Sequence, residues 1–232
     1  MKKKLVVLSG AGISAESGLK TFRSSDGLWE EYPIESVATP SAWRANPDLV
    51  HTFYNLRRAQ IINAKPNFAH EQLAQLEAHF NVSIVTQNID DLHERAGSTS
   101  VLHLHGNIRF SKSSGPNQEK AYYPIHGATL SITDLCPDGY PLRPHVVWFG
   151  ENVPLLQTAA DIISSADILL VIGTSLTVYP AAGLIGHASE NCQRYIIDPD
   201  ASQLNGLLHF NRIPMNATEG IVSFITAIKK GS

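Results

Sequence analysis

Apolar positions in this chain come as short β-branched runs set between helical stripes. Residues 5–8, 82–86, 101–104 and 168–172 read as strands, and 195–197 and 212–214 as weaker ones. The runs are almost continuously hydrophobic, as in strands covered on both faces of a parallel sheet, and lack the alternation of a sheet with one wet face. Between them, residues 69–79, 155–165, 181–190 and 219–229 carry helical patterns. In the last of these, Ile221, Phe224, Ile225 and Ile228 recur at i, i+3, i+4 and i+7, an apolar stripe along one helix face. Strand and helix alternating in this way predict an α/β fold with an open, doubly wound, mostly parallel sheet.

Two stretches break the alternation. Residues 24–66 carry aromatic and helical pattern without a strand, and residues 106–145 are rich in Gly, Pro, Ser and Tyr and poor in apolar period. Both exceed an ordinary connection in length. They read as insertions at the carboxyl end of the sheet that together build a small second domain. Residues 1–232 then form one unit. Its large part comes from 1–23, 67–105 and 146–230, and its small part from 24–66 and 106–145. A ligand cleft is expected between sheet and insert.

Composition narrows the function classes. The chain has 232 residues, 43% hydrophobic and 17% charged, an ordinary globular balance that can bury a core without staples. The formal net charge is −3, so no basic excess points to nucleic acid or an anionic membrane surface, and neither is expected as a partner. The two cysteines, Cys136 and Cys192, form no C-x-x-C pair, which argues against a disulfide framework and against a zinc site of three or four thiolates. The apolar run after Lys2-Lys3-Lys4 is too short for a secretory signal, and no run approaches the ~20 residues of a membrane span. A reducing, cytoplasmic setting is the expectation.

Gly10-Ala11-Gly12-Ile13-Ser14-Ala15 follows the first strand and opens a helical stretch, fitting G-x-G-x-x-G/A. Glycines there allow a tight turn and close backbone approach to a pyrophosphate. The usual acidic residue at the end of a second strand is missing, because Thr21–Gly27 contains no strand, so ordinary hydride-transfer enzymes match poorly. The longer string G-A-G-I-S-A-E-S-G-L-K-T-F-R-S-S-D-G-L-W over 10–29 goes further. It is joined by Thr86-Gln87-Asn88-Ile89-Asp90, His103-Leu104-His105-Gly106-Asn107 and Gly173-Thr174-Ser175-Leu176. With these four motifs in order along nearly the whole chain, the sequence resembles the sirtuins, NAD-dependent protein-lysine deacylases with a Rossmann-like sheet and a small second domain.

The resemblance implies roles by position. Gly10, Ala11, Gly12, Ile13 and Ala15 would lie near the pyrophosphate of NAD, with Phe22 and Arg23 on a loop over the nicotinamide ribose. Gln87, Asn88, Ile89 and Asp90 would contact ribose and carboxamide. Gly173, Thr174, Ser175 and Val178 would flank the adenosine side, and Ala217 would meet adenine through its backbone. His105 stands at the family's base position, where imidazole, with an ordinary pKa near 6.5, can accept a proton at neutrality. His103 is its local competitor, facing the same side if both lie in a strand. The resemblance also implies acyl-lysine peptides or proteins as substrates. Val147, Trp148, Phe149, Gly150 and Glu151 match the region where a substrate strand would pair.

Tyr54 and Arg57 form Y-x-x-R, one face of a helix. The pair resembles that of class III sirtuins, which prefer succinyl and malonyl groups, and Ala42 falls where a small residue leaves room in the acyl pocket. The bland reading is an amphipathic helix with a solvated arginine, as Arg58 next door illustrates. Two features depart from the family. Most sirtuins hold a structural zinc with two C-x-x-C pairs in the insert after the catalytic His. Here Ser111 and Ser114 stand where the first pair would be, and only Cys136 remains, so no zinc is expected. Packing of Tyr122, Tyr123, Ile125, Leu130, Ile132 and Leu135 would hold the insert instead. Ile196-Ile197-Asp198 also lacks the Asn that many sirtuins place on the adenosine ribose, leaving Asp198 or a backbone group to substitute. An ADP-ribosyltransferase or NAD glycohydrolase on the same scaffold, and a catalytically weak NAD- or acyl-lysine-binding module, stay open as alternatives.

Overall fold

The computed structural model describes residues 2–20, 32–207 and 209–230. Six parallel strands form the main sheet: β1 (Lys4–Ser9), β2 (Asn81–Thr86), β3 (Val101–His103), β7 (Ile168–Ile172), β8 (Gln193–Ile197) and β9 (Phe210–Ile213), in the order β3-β2-β1-β7-β8-β9. The other three strands, β4 (Gly106–Ser113), β5 (Tyr122–Pro124) and β6 (Leu142–Val146), make a small antiparallel sheet ordered β5-β4-β6. The sheet is thus of the expected parallel, doubly wound type. The chain steps outward from β1 to β3, returns, and steps outward from β7 to β9. The switch lies between β1 and β7, where parallel α/β sheets open a crevice at their carboxyl ends.

The continuous apolar runs are explained by two cores, one on each face. Leu5, Val7, Ile84, Leu170, Ile172 and Ile197 pack with helix α4 (Phe68–Gln75) and helix α7 (Ala217–Lys230), the latter through Ile221, Phe224 and Ile228. Val6, Leu8, Val85, Leu169, Val171 and Ile196 face the other way, onto helix α6 (Leu156–Ser164) and the 3₁₀ segment Ala181–His187. Successive side chains of one strand therefore serve opposite cores.

The stretch between β1 and α4 holds helices α1 (Ile34–Val37), α2 (Pro40–Ala45) and α3 (Pro47–Asn63). Thr39 and Asn46 cap α2 and α3 with side-chain oxygens, and each helix begins on a proline. Short helix α5 (Leu92–Arg95) follows β2. The segment after the first strand is a 3₁₀ helix, Ala11–Ser17, and so is 181–187, where the sequence suggested a longer helix. Gly183 and Gly186 fall inside the latter and weaken α-helical propensity. Among the described residues no helix is long and apolar enough to cross a membrane.

The small sheet differs from the packing expected of residues 106–145. Its own apolar cluster is Ile125, Leu130, Cys136 and Leu142 with Tyr123 against it. Leu135 is 56% exposed, while its neighbour Cys136 turns inward. Tyr122 also lies outside that cluster, stacked on His145 with ring centroids 3.8 Å apart. The segment is tied to α3 by polar groups. Asn55 Nδ2 donates to the Leu130 carbonyl and Asn55 Oδ1 accepts from Leu130 N–H. Arg58, wholly buried, donates to the carbonyls of Ile108 and Ala128 and to Asn55 Oδ1. It is therefore a structural clamp, unlike the solvated side chain that its position beside Arg57 suggested. Burial lowers its pKa to about 10.

Candidate active site

The carboxyl ends of β1, β2 and β7 meet around glycine backbone. Gly10 N–H donates to Ile172 O, Gly12 N–H to Gly173 O, and Gly173 N–H to Ile197 O. A Cβ on Gly12 would sit 2.7 Å from the Gly173 Cα, and one on Gly10 2.7 Å from Thr174 Cβ. Gly173 itself holds φ +65°, which glycine adopts without steric penalty. The motif glycines are thus required for one turn to nest in the next. Ile13 is consumed by the core, its carbonyl held by Asn67 Nδ2 at 2.7 Å, whereas Ala15 is exposed.

Beside this turn lies a buried polar chain. Ser14 Oγ donates to Asp90 Oδ2 at 3.1 Å and accepts from Asn88 Nδ2 at 3.2 Å. Asp90 Oδ1 accepts from Leu92 N–H, and Asn88 N–H donates to Thr86 Oγ1. Burial pushes the Asp90 carboxyl up, only partly offset by the Leu92 and Ser14 hydrogen bonds. Gln87 reaches across to Thr174 Oγ1 at 3.3 Å. Ile89 is partly buried against the core that contains α3. Ser14 was absent from the sequence-derived site. Its signal was a hydroxyl in an otherwise apolar turn, and the hydroxyl's partners, Asp90 and Asn88, lie some seventy residues away in sequence.

His105 sits in the turn between β3 and β4. Its Nδ1 faces the Gln87 carbonyl at 3.1 Å, so Nδ1–H donates and Nε2 keeps its lone pair. Burial lowers its pKa, partly countered by the Gln87 hydrogen bond. His103 ends β3, whereas His105 lies in the turn beyond it, so the two do not share a strand face, and His103 bonds the Asn88 carbonyl and Glu94 instead. The backbone of His105 continues into the next wall, because Val147 N–H donates to His105 O at 2.9 Å.

That wall is Val147–Glu151. Trp148 is buried and donates from Nε1 to Tyr54 Oη at 3.0 Å. Arg143 lies 3.3 Å over the Trp148 ring and grips both oxygens of Glu151, while Trp148 N–H donates to the same carboxylate. Glu151 is thereby fully engaged within the chain. Phe149 is half-exposed, its N–H bonded to Ala38 O, and Gly150 turns the chain at φ +87°. Ala42 is buried in the same core as Tyr54 and Trp148. Tyr54 is buried and its hydroxyl pKa is driven up by burial, the Trp148 hydrogen bond offsetting only part. Arg57, one helical turn on, donates to Lys20 O at 3.1 Å and Gln60 Oε1 at 3.4 Å. No hydrogen bond joins Tyr54 to Arg57, although they share a helix face.

On the far side of β7, Ser175 Oγ lies 3.1 Å from Thr177 Oγ1, and Val178 is 43% exposed. Ile196 and Ile197 each fill a core, so the first polar side chain past β8 is Asp198, whose Oδ1 accepts from Asp200 N–H. Ala217 opens α7 with its side chain in the core. Phe22 and Arg23 lie outside the described residues.

These features fit a sequence model of the Sir2 family over residues 10–180. The chain belongs to the Sir2 family. It is similar to the NAD-dependent protein deacylase of Aggregatibacter actinomycetemcomitans, 54% identical over 200 residues, covering 86% of this chain and 95% of that protein. Among solved structures it resembles a Sir2 homologue in complex with NAD, with TM-score 0.85 and 38% identity over 99% of this chain and 91% of that one. It also resembles a Sir2 protein with p53 peptide and NAD⁺, with TM-score 0.79 and 29% identity over 100% and 95% of the two chains.

For a sirtuin, the donor set matters in two places. A buried acid, amide and hydroxyl (Asp90, Asn88, Ser14), beside glycine turns that admit no Cβ, fit a ligand rich in hydroxyls and carrying a carboxamide, as NAD is. The structural zinc common in the family meets the opposite chemistry. Ser111 Oγ donates to the Tyr123 carbonyl, and Cys136 Sγ lies 3.4 Å from Ser113 Oγ. Among the described residues no three His, Cys, Asp or Glu side chains converge on a metal position. Those donors do not fit a tetrahedral zinc site.

Proposed function

We propose that this sirtuin is an NAD-dependent protein deacylase that prefers succinyl- and malonyl-lysine. Its products would be free lysine, nicotinamide and O-acyl-ADP-ribose. When bound, NAD supplies an electrophilic ribose carbon and nicotinamide as the leaving group. The chain's own work is then to hold and deprotonate. Asn88 and Asp90, tied together through Ser14, and Gln87, bonded to Thr174, orient the ribose and carboxamide. His105 accepts a ribose hydroxyl proton at Nε2 while Gln87 O fixes its tautomer.

The observation that carries the acyl preference is the state of Arg57. Its guanidinium is half-buried and bonded only to neutral oxygens, with no ion-pair partner among the described residues. Burial lowers its pKa, with Asp90 exerting the largest opposing pull. An acyl carboxylate would give the guanidinium a charged partner. Tyr54 accepts the Trp148 N–H, which leaves its own O–H free to donate to the same carboxylate. One charge-assisted bond contributes about 1.5–3 kcal/mol, or roughly 10- to 150-fold in preference.

The test is turnover of succinyl-, malonyl- and acetyl-lysine peptides with NAD, following nicotinamide and deacylated peptide by mass spectrometry. Matched release of both is expected, and Arg57→Met should collapse the succinyl-to-acetyl ratio by about tenfold or more. Nicotinamide without deacylation would instead indicate a glycohydrolase or transferase, and neither product a binding module. The pH profile carries a second check. His105 must be neutral to act and its pKa is lowered, so kcat/KM should fall only as pH drops through a value below the ordinary 6.5 or so. A limb at or above that value would remove His105 from the role.

A further inference from the structure

Two histidines two residues apart meet opposite surroundings. His105 has one acceptor, the Gln87 carbonyl, on one ring nitrogen. His103 has an acceptor on each: the Asn88 carbonyl 3.0 Å from Nδ1 and Glu94 Oε1 2.6 Å from Nε2. Neither a carbonyl nor an ionised carboxylate can donate, so both ring nitrogens must carry hydrogen. Asn107 Nδ2, 3.3 Å from Nε2, would ask that nitrogen to accept. That amide cannot flip to offer its oxygen, because Oδ1 accepts from Arg109 N–H. The carboxylate is nearer and charged, and decides the matter.

We propose that His103 is a positioning residue, held as an imidazolium between Glu94 and the Asn88 carbonyl, that clamps the 87–90 segment in the shape the cofactor site requires. This rests on the assignment of Asn88 and Asp90 to the cofactor. The clamp spans three elements. Glu94 stands on α5, His103 ends β3, and Asn88 lies between β2 and α5. Without it, among the described residues, Thr86 and Ser14 would be what holds the loop at Asn88. The surrounding charges agree. Burial alone would lower His103, but Glu94, the Asn88 carbonyl and Asp90 outweigh it and raise its pKa. His93 and His145, which both feel the charge of His103, are shifted down by burial first of all, and so are neutral at pH 7. Glu94, pushed up by burial, is pulled below its ordinary range by His103.

The test uses the full chain without cofactor, ¹⁵N-labelled at histidine. In the parent protein His103 should show both ring nitrogens protonated at pH 7, and Glu94→Gln should return it to a neutral imidazole. The NAD KM should rise about tenfold in Glu94→Gln and His103→Asn, what one charge-assisted hydrogen bond provides, and more than the acyl-peptide KM does. In the parent alone it should also climb as pH passes the His103 titration. A neutral His103 at pH 7, or a titration unmoved by Glu94→Gln, would overturn the clamp. A protonated His103 in both forms whose loss leaves the NAD KM unchanged would also overturn it. If Asn88→Ala leaves the NAD KM unchanged, the site assignment itself fails, whatever the imidazole spectrum shows.

Discussion

The main sheet and the small sheet of this sirtuin are held by different forces. From Leu5 to Leu8 in β1 and from Ile168 to Ile172 in β7, side chains alternate between two apolar cores with nothing polar among them. The small sheet lends Ile108 and Val146 to the core around α3, has otherwise a four-residue apolar cluster, and leans on directed polar contacts: Asn55 and Arg58 from α3, Lys112 with Glu119 at 2.6 Å, and Arg143 on Glu151. Burial is non-directional and tolerant, whereas polar clasps fail singly, because each lost partner leaves another group stranded. The two sheets should therefore break in different ways.

The largest effect is expected in the main sheet. Leu170→Ala deletes a fully buried side chain facing the α4 and α7 core. It should cost about 2–5 kcal/mol, a fall in Tm of roughly 10 °C in a single transition. Second comes Arg143→Met, which strands the Glu151 carboxylate and the Val146 carbonyl. A loss of about 3 kcal/mol is expected, partly restored in Arg143→Met with Glu151→Gln. If the double variant is no better than the single one, the guanidinium acts by packing on Trp148 and the polar account of this lobe is wrong. The smallest effect is a predicted absence. Dialysis against a chelator should leave Tm and deacylation unchanged, since the lobe stands on hydrogen bonds. A drop in Tm reversed by added zinc would contradict this.

The main sheet was legible because its forces are local in sequence. A run such as Ile168–Ile172 announces a strand buried on both faces. The glycine turn and the Gln87–Asp90 motif could be placed at one edge for the same reason. The small lobe was far less legible. Arg58 looks like any surface arginine until Ile108 and Ala128 fold over it, and Leu135 looks like core until the chain turns Cys136 inward. Among site residues, Ser14, Glu94 and the difference between His103 and His105 share one cause. Each is defined by a partner on another element, and hydropathy carries no record of which carbonyl a ring nitrogen will meet.

The nested glycines have a consequence for the history of the sequence. A methyl group on Gly12 would strike the main chain of Gly173, and one on Gly173 would strike the main chain of Gly12 and Ile13. Where a clash is with a side chain, a second mutation can trim the obstacle and a lineage can cross in two steps. Here the obstacle is backbone, which no substitution removes. The two positions form a closed gate in mutational space, and a saturation library covering both should return the parental pair.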